Sequence, residues 1–83
     1  MEKGLNSDIQ INGNTYHVQT EDWGPAHRLV VSHVFRSGAI VKSVRTSYDS
    51  LFLEGRKSDT QTIRLAIKEQ HHQILDLLIS GQF

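Results

Sequence analysis

The chain has 83 residues, which is enough for one domain, and its 37% hydrophobic and 22% charged residues are typical of a globular protein. Its formal net charge is zero and it contains no cysteine. This composition excludes a disulfide staple, a thiolate nucleophile and a cysteine zinc site. Small domains without staples often gain stability by associating with a partner.

The start of the chain lacks the apolar segment of a signal peptide, and we expect residues 1–7 to be flexible. The longest apolar runs have three residues, so we expect no membrane span and a cytoplasmic location. Charge is unevenly spread: residues 1–22 hold one basic and four acidic side chains, and residues 23–57 hold six basic and two acidic ones. This balance favours protein partners over nucleic acid.

The first predicted element is a β-hairpin at Asn12-Gly13 or Gly13-Asn14, since these residues tolerate the positive φ angles of a tight turn. Side chains alternate along a strand, so both registers place the same apolar residues on one face. These are Ile9, Ile11, Tyr16 and Val18. The opposite face carries Gln10, His17, Gln19 and Glu21. Trp23-Gly24-Pro25 then ends the strand.

A second hairpin is predicted over 27–48 around Ser37-Gly38. With a two-residue turn, the face expected to meet the core carries Leu29, Val31, His33, Phe35, Ile40, Lys42, Val44, Thr46 and Tyr48. The opposite face carries Arg28, Val30, Ser32, Val34, Arg36, Ala39, Val41, Ser43 and Arg45. On that face, Val30, Val34 and Val41 form an apolar stripe that suits a partner. A three-residue turn with a bulge would mix the two sets; the two-residue turn separates apolar from polar better and is preferred.

Residues 49–57 are expected to form a connector with one helical turn, followed by a helix over 59–80. Ser58 and Gln61 have the spacing of a capping box, and Gly81 provides a stop. A stripe expected to cover the sheet contains Ile63, Ala66, Ile67, Gln70, Ile74, Leu77 and Leu78.

Gln70 then requires a buried hydrogen-bond partner, for which Tyr16, Thr20 and Tyr48 are candidates. A second apolar stripe, beside His72, predicts contact with another subunit and contains Leu65, Leu75 and Ile79.

The densest polar cluster is His17-Val18-Gln19-Thr20-Glu21-Asp22. On a strand, His17, Gln19 and Glu21 line one face, which is either a ligand site or an ordinary solvated surface. The chain has no nucleophile elbow and no glycine-rich phosphate loop, so we do not expect an enzyme.

Five histidines raise the question of a metal site. His71 and His72 are adjacent on the predicted helix and point about 100° apart, so they cannot chelate one ion together. Only a cluster across strands, such as His17, His27 and His33, would supply the ligands that zinc needs. We expect hydrogen-bonding histidines and neither metal nor cofactor.

Nucleic-acid binding would use the three arginines of the second hairpin's polar face, Arg28, Arg36 and Arg45. The aromatic residues that would stack on bases, Tyr16, Phe35 and Tyr48, map to the opposite face. We therefore do not expect a nucleic-acid partner.

Several motifs together resemble a group of small bacterial proteins of unassigned activity. These motifs are His17-Val18-Gln19-Thr20-Glu21-Asp22 with Gly24, then Gly38 and Ile40 leading into Ser43, Thr46, Ser47 and Tyr48, then Glu69-Gln70-His71, and Gly81 before Phe83. The resemblance covers nearly the whole chain in order. It implies a common fold but no reaction, cofactor or substrate. It also implies ligand-binding candidates, which are His17, Gln19, Glu21, Tyr48, Gln70 and His71.

These observations predict one α+β domain over 1–83, with a four-stranded antiparallel sheet of two β-hairpins and one C-terminal α-helix packed on one face. The leading functional hypothesis is a non-enzymatic protein–protein interaction module that forms a homodimer. Its interface candidates are Val30, Val34, Val41, Leu75 and Ile79. The alternative is a small ligand-binding or catalytic domain with a polar site around His17, Gln19 and Glu21.

Overall fold

The computed structural model describes residues 1–52 and 60–83. Four antiparallel strands form one sheet in the order β1-β2-β3-β4, with the bounds Leu5–Ile11, Asn14–Asp22, Leu29–Arg36 and Ala39–Ser47. Short helices α1 (Gly24–His27) and α2 (Tyr48–Leu51) follow β2 and β4, and α3 (Thr60–Ile79) packs across the sheet. The predicted fold class is therefore confirmed.

Both hairpin turns have two residues, because each turn sequence accepts left-handed backbone angles. Asn12 and Gly13 have φ angles of 51° and 81°, and Ser37 and Gly38 have φ angles of 53° and 79°. The first turn selects the register in which Ile9 lies opposite Tyr16. β1 begins at Leu5, so residues 5–7, which were expected to be flexible, pair with β2 instead.

β4 contains a bulge that the preferred sequence register did not include. Phe35 lies opposite Ile40, but its neighbour Val34 lies opposite Lys42, which leaves Val41 as an extra residue. A bulge changes which side of the sheet the following residues face. The side that meets α3 therefore receives Val44 from β4, whereas Ile40 lies on the opposite side with Phe35.

The predicted faces were right for the first hairpin and wrong for β3. Val34 lies opposite Val18 and Ser32 lies opposite Thr20, so these residues share the face that α3 covers. Val30 and Val34 are fully buried there, which means that they do not form an exposed partner surface. Val30 and Val31 are adjacent and both apolar, so the alternation of apolar and polar residues along β3 could not identify its buried face. Leu29, Val31, His33 and Phe35 lie on the other side of the sheet.

The core between the sheet and α3 has two apolar clusters. One contains Val18, Val34, Ile74 and Leu78, and the other contains Val30, Tyr48 and Ile67. The predicted helix stripe supplies the residues that α3 buries in both clusters. Leu75, expected on the far side, is half-buried against the first cluster, whereas Ile79 is 64% exposed.

The predicted start of the last helix and its Ser58 cap lie outside the described residues. The predicted stop is confirmed: Gly81 adopts a φ of 72°, and its N–H donates to the Leu78 carbonyl at 3.2 Å. Among the described helices, none is long and apolar enough to span a bilayer.

Candidate functional site

A layer of polar side chains crosses the core between the two apolar clusters. Gln70 Nε2 donates to Ser32 Oγ at 2.8 Å and to the Val44 carbonyl at 3.4 Å, and Gln70 Oε1 accepts from Thr46 Oγ1 at 2.6 Å. The prediction that Gln70 has buried hydrogen-bond partners is confirmed. The partners themselves differ from those expected: Thr46 lies on the core side, as the preferred register predicted, and the reversed face of β3 brings Ser32 under the helix.

The same layer continues through Thr20 to His71. Thr20 Oγ1 lies 2.7 Å from Ser32 Oγ and 2.8 Å from His71 Nδ1, and His71 Nε2 lies 2.8 Å from Ser7 Oγ. Gln70 already donates to Ser32, so the Ser32 hydroxyl is free to donate to Thr20, and Thr20 can donate to His71 Nδ1. This order assigns the hydrogen of the neutral imidazole to Nε2, from which it is donated to Ser7. The hydrogens of Ser32, Thr20 and the His71 imidazole then each have an acceptor.

The neutral form of His71 fits this environment. Burial lowers the pKa of His71, and the positive charges of His72 and His17 lower it further when those residues are protonated. A proton added at Nδ1 would also leave the Thr20 hydroxyl hydrogen without its acceptor. His71 and Gln70 are both buried, so in the folded chain their role is to fix how α3 docks on the sheet.

A second polar cluster is centred on the buried carboxylate of Asp22. This carboxylate accepts hydrogen bonds from the backbone N–H of Glu2 at 2.8 Å, from the N–H of Gly24 at 2.9 Å, and from the Tyr48 hydroxyl. Burial alone would raise the pKa of Asp22, but these hydrogen bonds outweigh it and the pKa lies below its ordinary value. Burial and the hydrogen bond to Asp22 raise the pKa of Tyr48 to about 12. The cluster joins the ends of β2 and β4 to the start of the chain.

The side of the sheet turned away from α3 is called the outer face below. Its side chains come from all four strands and include Asn6, Asp8, His17, Gln19, Glu21, Leu29, Val31, His33, Phe35, Ile40, Ser43 and Arg45. Trp23 lies at one end of it, beside His27 of α1. In the described part of the chain, α3 covers only the opposite side of the sheet, and the outer face is open.

A row of contacting rings runs along the outer face. Ring centroids are 6.3 Å apart between Trp23 and His33, 6.0 Å between His33 and Phe35, and 6.0 Å between Phe35 and His17. Their side chains are half-buried, and together with their neighbours they leave Val31 only 2% exposed. This is an apolar and aromatic surface with polar nitrogen atoms at intervals.

The six predicted ligand-binding residues do not converge. His17, Gln19 and Glu21 lie on the outer face, while Tyr48, Gln70 and His71 are buried on the other side of the sheet. Even the first three are spread along β2, where alternate residues are about 6.8 Å apart.

His17 already has a partner, because its Nδ1 lies 2.6 Å from Asp8 Oδ1. An open depression of about 470 Å³ between the two hairpin turns includes His17 and Phe35 but neither Gln19 nor Glu21. Within residues 1–52 and 60–83, no group of three or more histidine or acidic side chains could hold a metal ion.

The row of rings on the outer face is the feature that sequence reasoning missed. Phe35 and His33 were assigned to the core because the preferred register grouped them with other apolar residues. The polar residues could have indicated the correct face of β3. Ser32 can form its hydrogen bonds with Thr20 and Gln70 only when Val30 and Val34 also face the helix.

Comparison of the chain with protein-family models, with curated proteins and with solved structures gave no match.

Proposed function

We propose that this chain is a non-enzymatic protein–protein interaction module of the cytoplasm, and that it forms a homodimer through the outer face. The observation that carries this proposal is the open row of Trp23, His33, Phe35 and His17. Aromatic side chains are enriched in the centres of protein interfaces, where they bury a large area with little loss of conformational freedom.

A sheet with one covered face gains stability when its second apolar face is also removed from water. Two such sheets pack about 10 Å apart, with the side chains of the inner faces interdigitating. The apolar surface is extended by Leu29, which shares β3 with His33 and Phe35, and by Ile40, which lies opposite Phe35 on β4. Ile40 is 53% exposed in the single chain. Burial of these side chains is the driving force that we assign to association.

A ligand-binding or catalytic site around His17, Gln19 and Glu21 is less well supported. These side chains do not share a concavity, and the His17 imidazole is paired with Asp8. Nucleic acid is also a poorer fit than protein, although Phe35 lies on an open face, contrary to the sequence expectation. The outer face carries the carboxylates of Asp8 and Glu21, which repel phosphate groups.

Light scattering after size-exclusion chromatography tests the proposal at high micromolar concentration, where we expect the mass of a dimer. Ile40→Asp should convert the dimer to a monomer because it places a charge within the apolar surface. Val41→Asp is the matched control: Val41 is the next residue and is also 53% exposed, but it borders a groove on the α3 side. The control should remain dimeric.

A wild-type chain that is monomeric at this concentration would contradict the homodimer. Dissociation caused by Ile79→Ser, with no effect of Ile40→Asp, would move the interface from the outer face to the exposed side of α3.

A further inference from the structure

Charges of opposite sign occupy opposite halves of the outer face. The acidic side chains Asp8 and Glu21 belong to the β1–β2 half, and the basic side chain Arg45 belongs to the β3–β4 half. Glu21, Val31 and Arg45 form one row across the sheet, because Val31 lies opposite each of the others in its two neighbouring strands.

Within the described chain, neither Glu21 nor Arg45 forms an ion pair. The Arg45 guanidinium lies over the Trp23 ring, 6.0 Å from its centroid, at the end of the ring row. Both side chains are exposed, so each has a charge available to a partner.

Symmetry limits how two copies can bring their outer faces together. A twofold axis parallel to the strands places the β1–β2 half of each copy over the β3–β4 half of the other. A twofold axis perpendicular to the strands and parallel to the sheet places β1 of one copy over β1 of the other, and β4 over β4. Arg45 of each copy would then face the β3–β4 half of the other copy, which does not carry Asp8 or Glu21. Only the first arrangement brings the acidic half of each copy over the basic half of the other.

We propose that the occupant of the outer face is a second copy of this chain, packed about a twofold axis parallel to the strands, with Glu21 of each copy paired to Arg45 of the other. This inference rests on the proposed function. With the axis between β2 and β3, Glu21 is offset from the other copy's Arg45 by one strand spacing of about 4.8 Å, across a gap of about 10 Å. Extended glutamate and arginine side chains cover that separation.

The same axis explains where the rings lie. β2 and β3 are the strands nearest to it, so Phe35 and His33 of one copy pack over His17 and Gln19 of the other. The interface then has an aromatic centre and two symmetric ion pairs toward its edges, which is the usual arrangement of apolar core and polar rim.

Charge reversal gives a direct test of this geometry. Glu21→Arg alone places two arginines together at each ion pair, and Arg45→Glu alone places two glutamates together. We expect each single variant to raise the dimer dissociation constant about tenfold or more, as measured by sedimentation equilibrium over a dilution series. The double variant Glu21→Arg/Arg45→Glu should restore the wild-type constant.

An equimolar mixture of the two single variants should also form dimers, because the heterodimer regains opposite charges at both ion pairs. This rescue separates a lost contact from a misfolded variant. As controls, the charge reversals Glu69→Arg and Lys68→Glu change two exposed residues of α3. These variants should leave the dimer dissociation constant unchanged.

The possible failures are distinguishable. If the wild-type chain dimerises and Ile40→Asp dissociates it, but neither rescue occurs, the proposed axis is wrong and the interaction module stands. If the wild-type chain is monomeric, both proposals are overturned.

Discussion

His71 is a buried imidazole whose neutral form completes a chain of hydroxyl hydrogen bonds from Gln70 to Ser7. Its pKa is lowered in the folded chain by burial, from an ordinary value of 6.5. The unfolded chain therefore binds a proton more readily than the folded one. The contribution of His71 to the free energy of unfolding is fully present above about pH 6.5 and is lost as the pH falls from there toward the folded pKa.

Urea unfolding across this pH range measures the effect. His71→Gln should reduce the fall in unfolding free energy toward acid pH, since the titrating group is gone. His27→Gln, at an exposed histidine of α1, is the control and should keep the wild-type pH dependence. An identical fall in the wild type and in His71→Gln would show that His71 is not the group responsible.

Tyr48 acts through a single hydroxyl, which donates to the buried Asp22 carboxylate. Tyr48→Phe should lower the free energy of unfolding by about 1.5–3 kcal/mol, the usual value for a hydrogen bond to a charged group. Tyr16→Phe is the matched control, because the described residues include no hydrogen-bond partner for the Tyr16 hydroxyl, and its effect should be much smaller. Chemical denaturation near neutral pH compares the two.

The raised pKa of Tyr48 predicts a loss of stability at alkaline pH. Its folded pKa is raised to about 12 from 10.0, so folding opposes ionisation of the phenol. The stability from this group is present below about pH 10 and is lost as the pH rises from 10 toward 12. Tyr48→Phe should lack this part of the alkaline transition.

At the scale of elements, the second hairpin is defined by its bulge. Val34 and Val41 are close in this hairpin, but Val34 is fully buried under α3 and Val41 is the extra, exposed residue of β4. Val34→Ala should destabilise the chain by about 2 kcal/mol, because it removes buried methyl groups and leaves a cavity. Val41→Ala should change stability by less than about 0.5 kcal/mol.

Thermal and urea unfolding of these two variants distinguish the observed hairpin from the register preferred on sequence grounds. That register places both valines on the same exposed face, and it predicts small effects at both positions. If Val34→Ala and Val41→Ala lowered the free energy of unfolding by the same amount, the bulged arrangement would be contradicted.

The position of α3 depends on both apolar and polar contacts. Ile67, Ile74 and Leu78 would pack on any apolar sheet surface, whereas Gln70 and His71 have partners only in one arrangement of the helix. A polar layer of this kind selects one docking position, because displacement would leave buried donors and acceptors unpaired.

At the scale of the whole molecule, the described residues cover one face of the sheet and leave the outer face open, and the only tryptophan of the sequence, Trp23, lies at one end of that outer face. We expect tryptophan emission to shift to longer wavelength on dilution, because dissociation returns the indole to water. Ile40→Asp should show the shifted emission at every concentration. Emission that does not depend on concentration in a chain that does dimerise would place Trp23 outside the interface.

Local sequence determined the elements of this protein. Asn12-Gly13 predicts its turn because asparagine and glycine tolerate left-handed backbone angles, and Gly38 supplies one such residue at the second turn. Helical periodicity identified most of the residues that α3 buries. These signals depend on neighbours a few residues apart along the chain. The class of fold follows from them, since two hairpins and one amphipathic helix have few ways to cover a single core.

Only the tertiary structure decided which face of β3 is buried, and with it the candidate binding surface. Val30 and Val31 are both apolar, so the strand is able to face the helix with either side, and the choice depends on the register with β2 and on the bulge at Val41. The burial of His71 has the same origin, because it depends on hydroxyl groups from β1 and β2 that are distant in sequence. Contacts of this range carry no local periodicity, and for that reason the open row of rings became visible only in the folded chain.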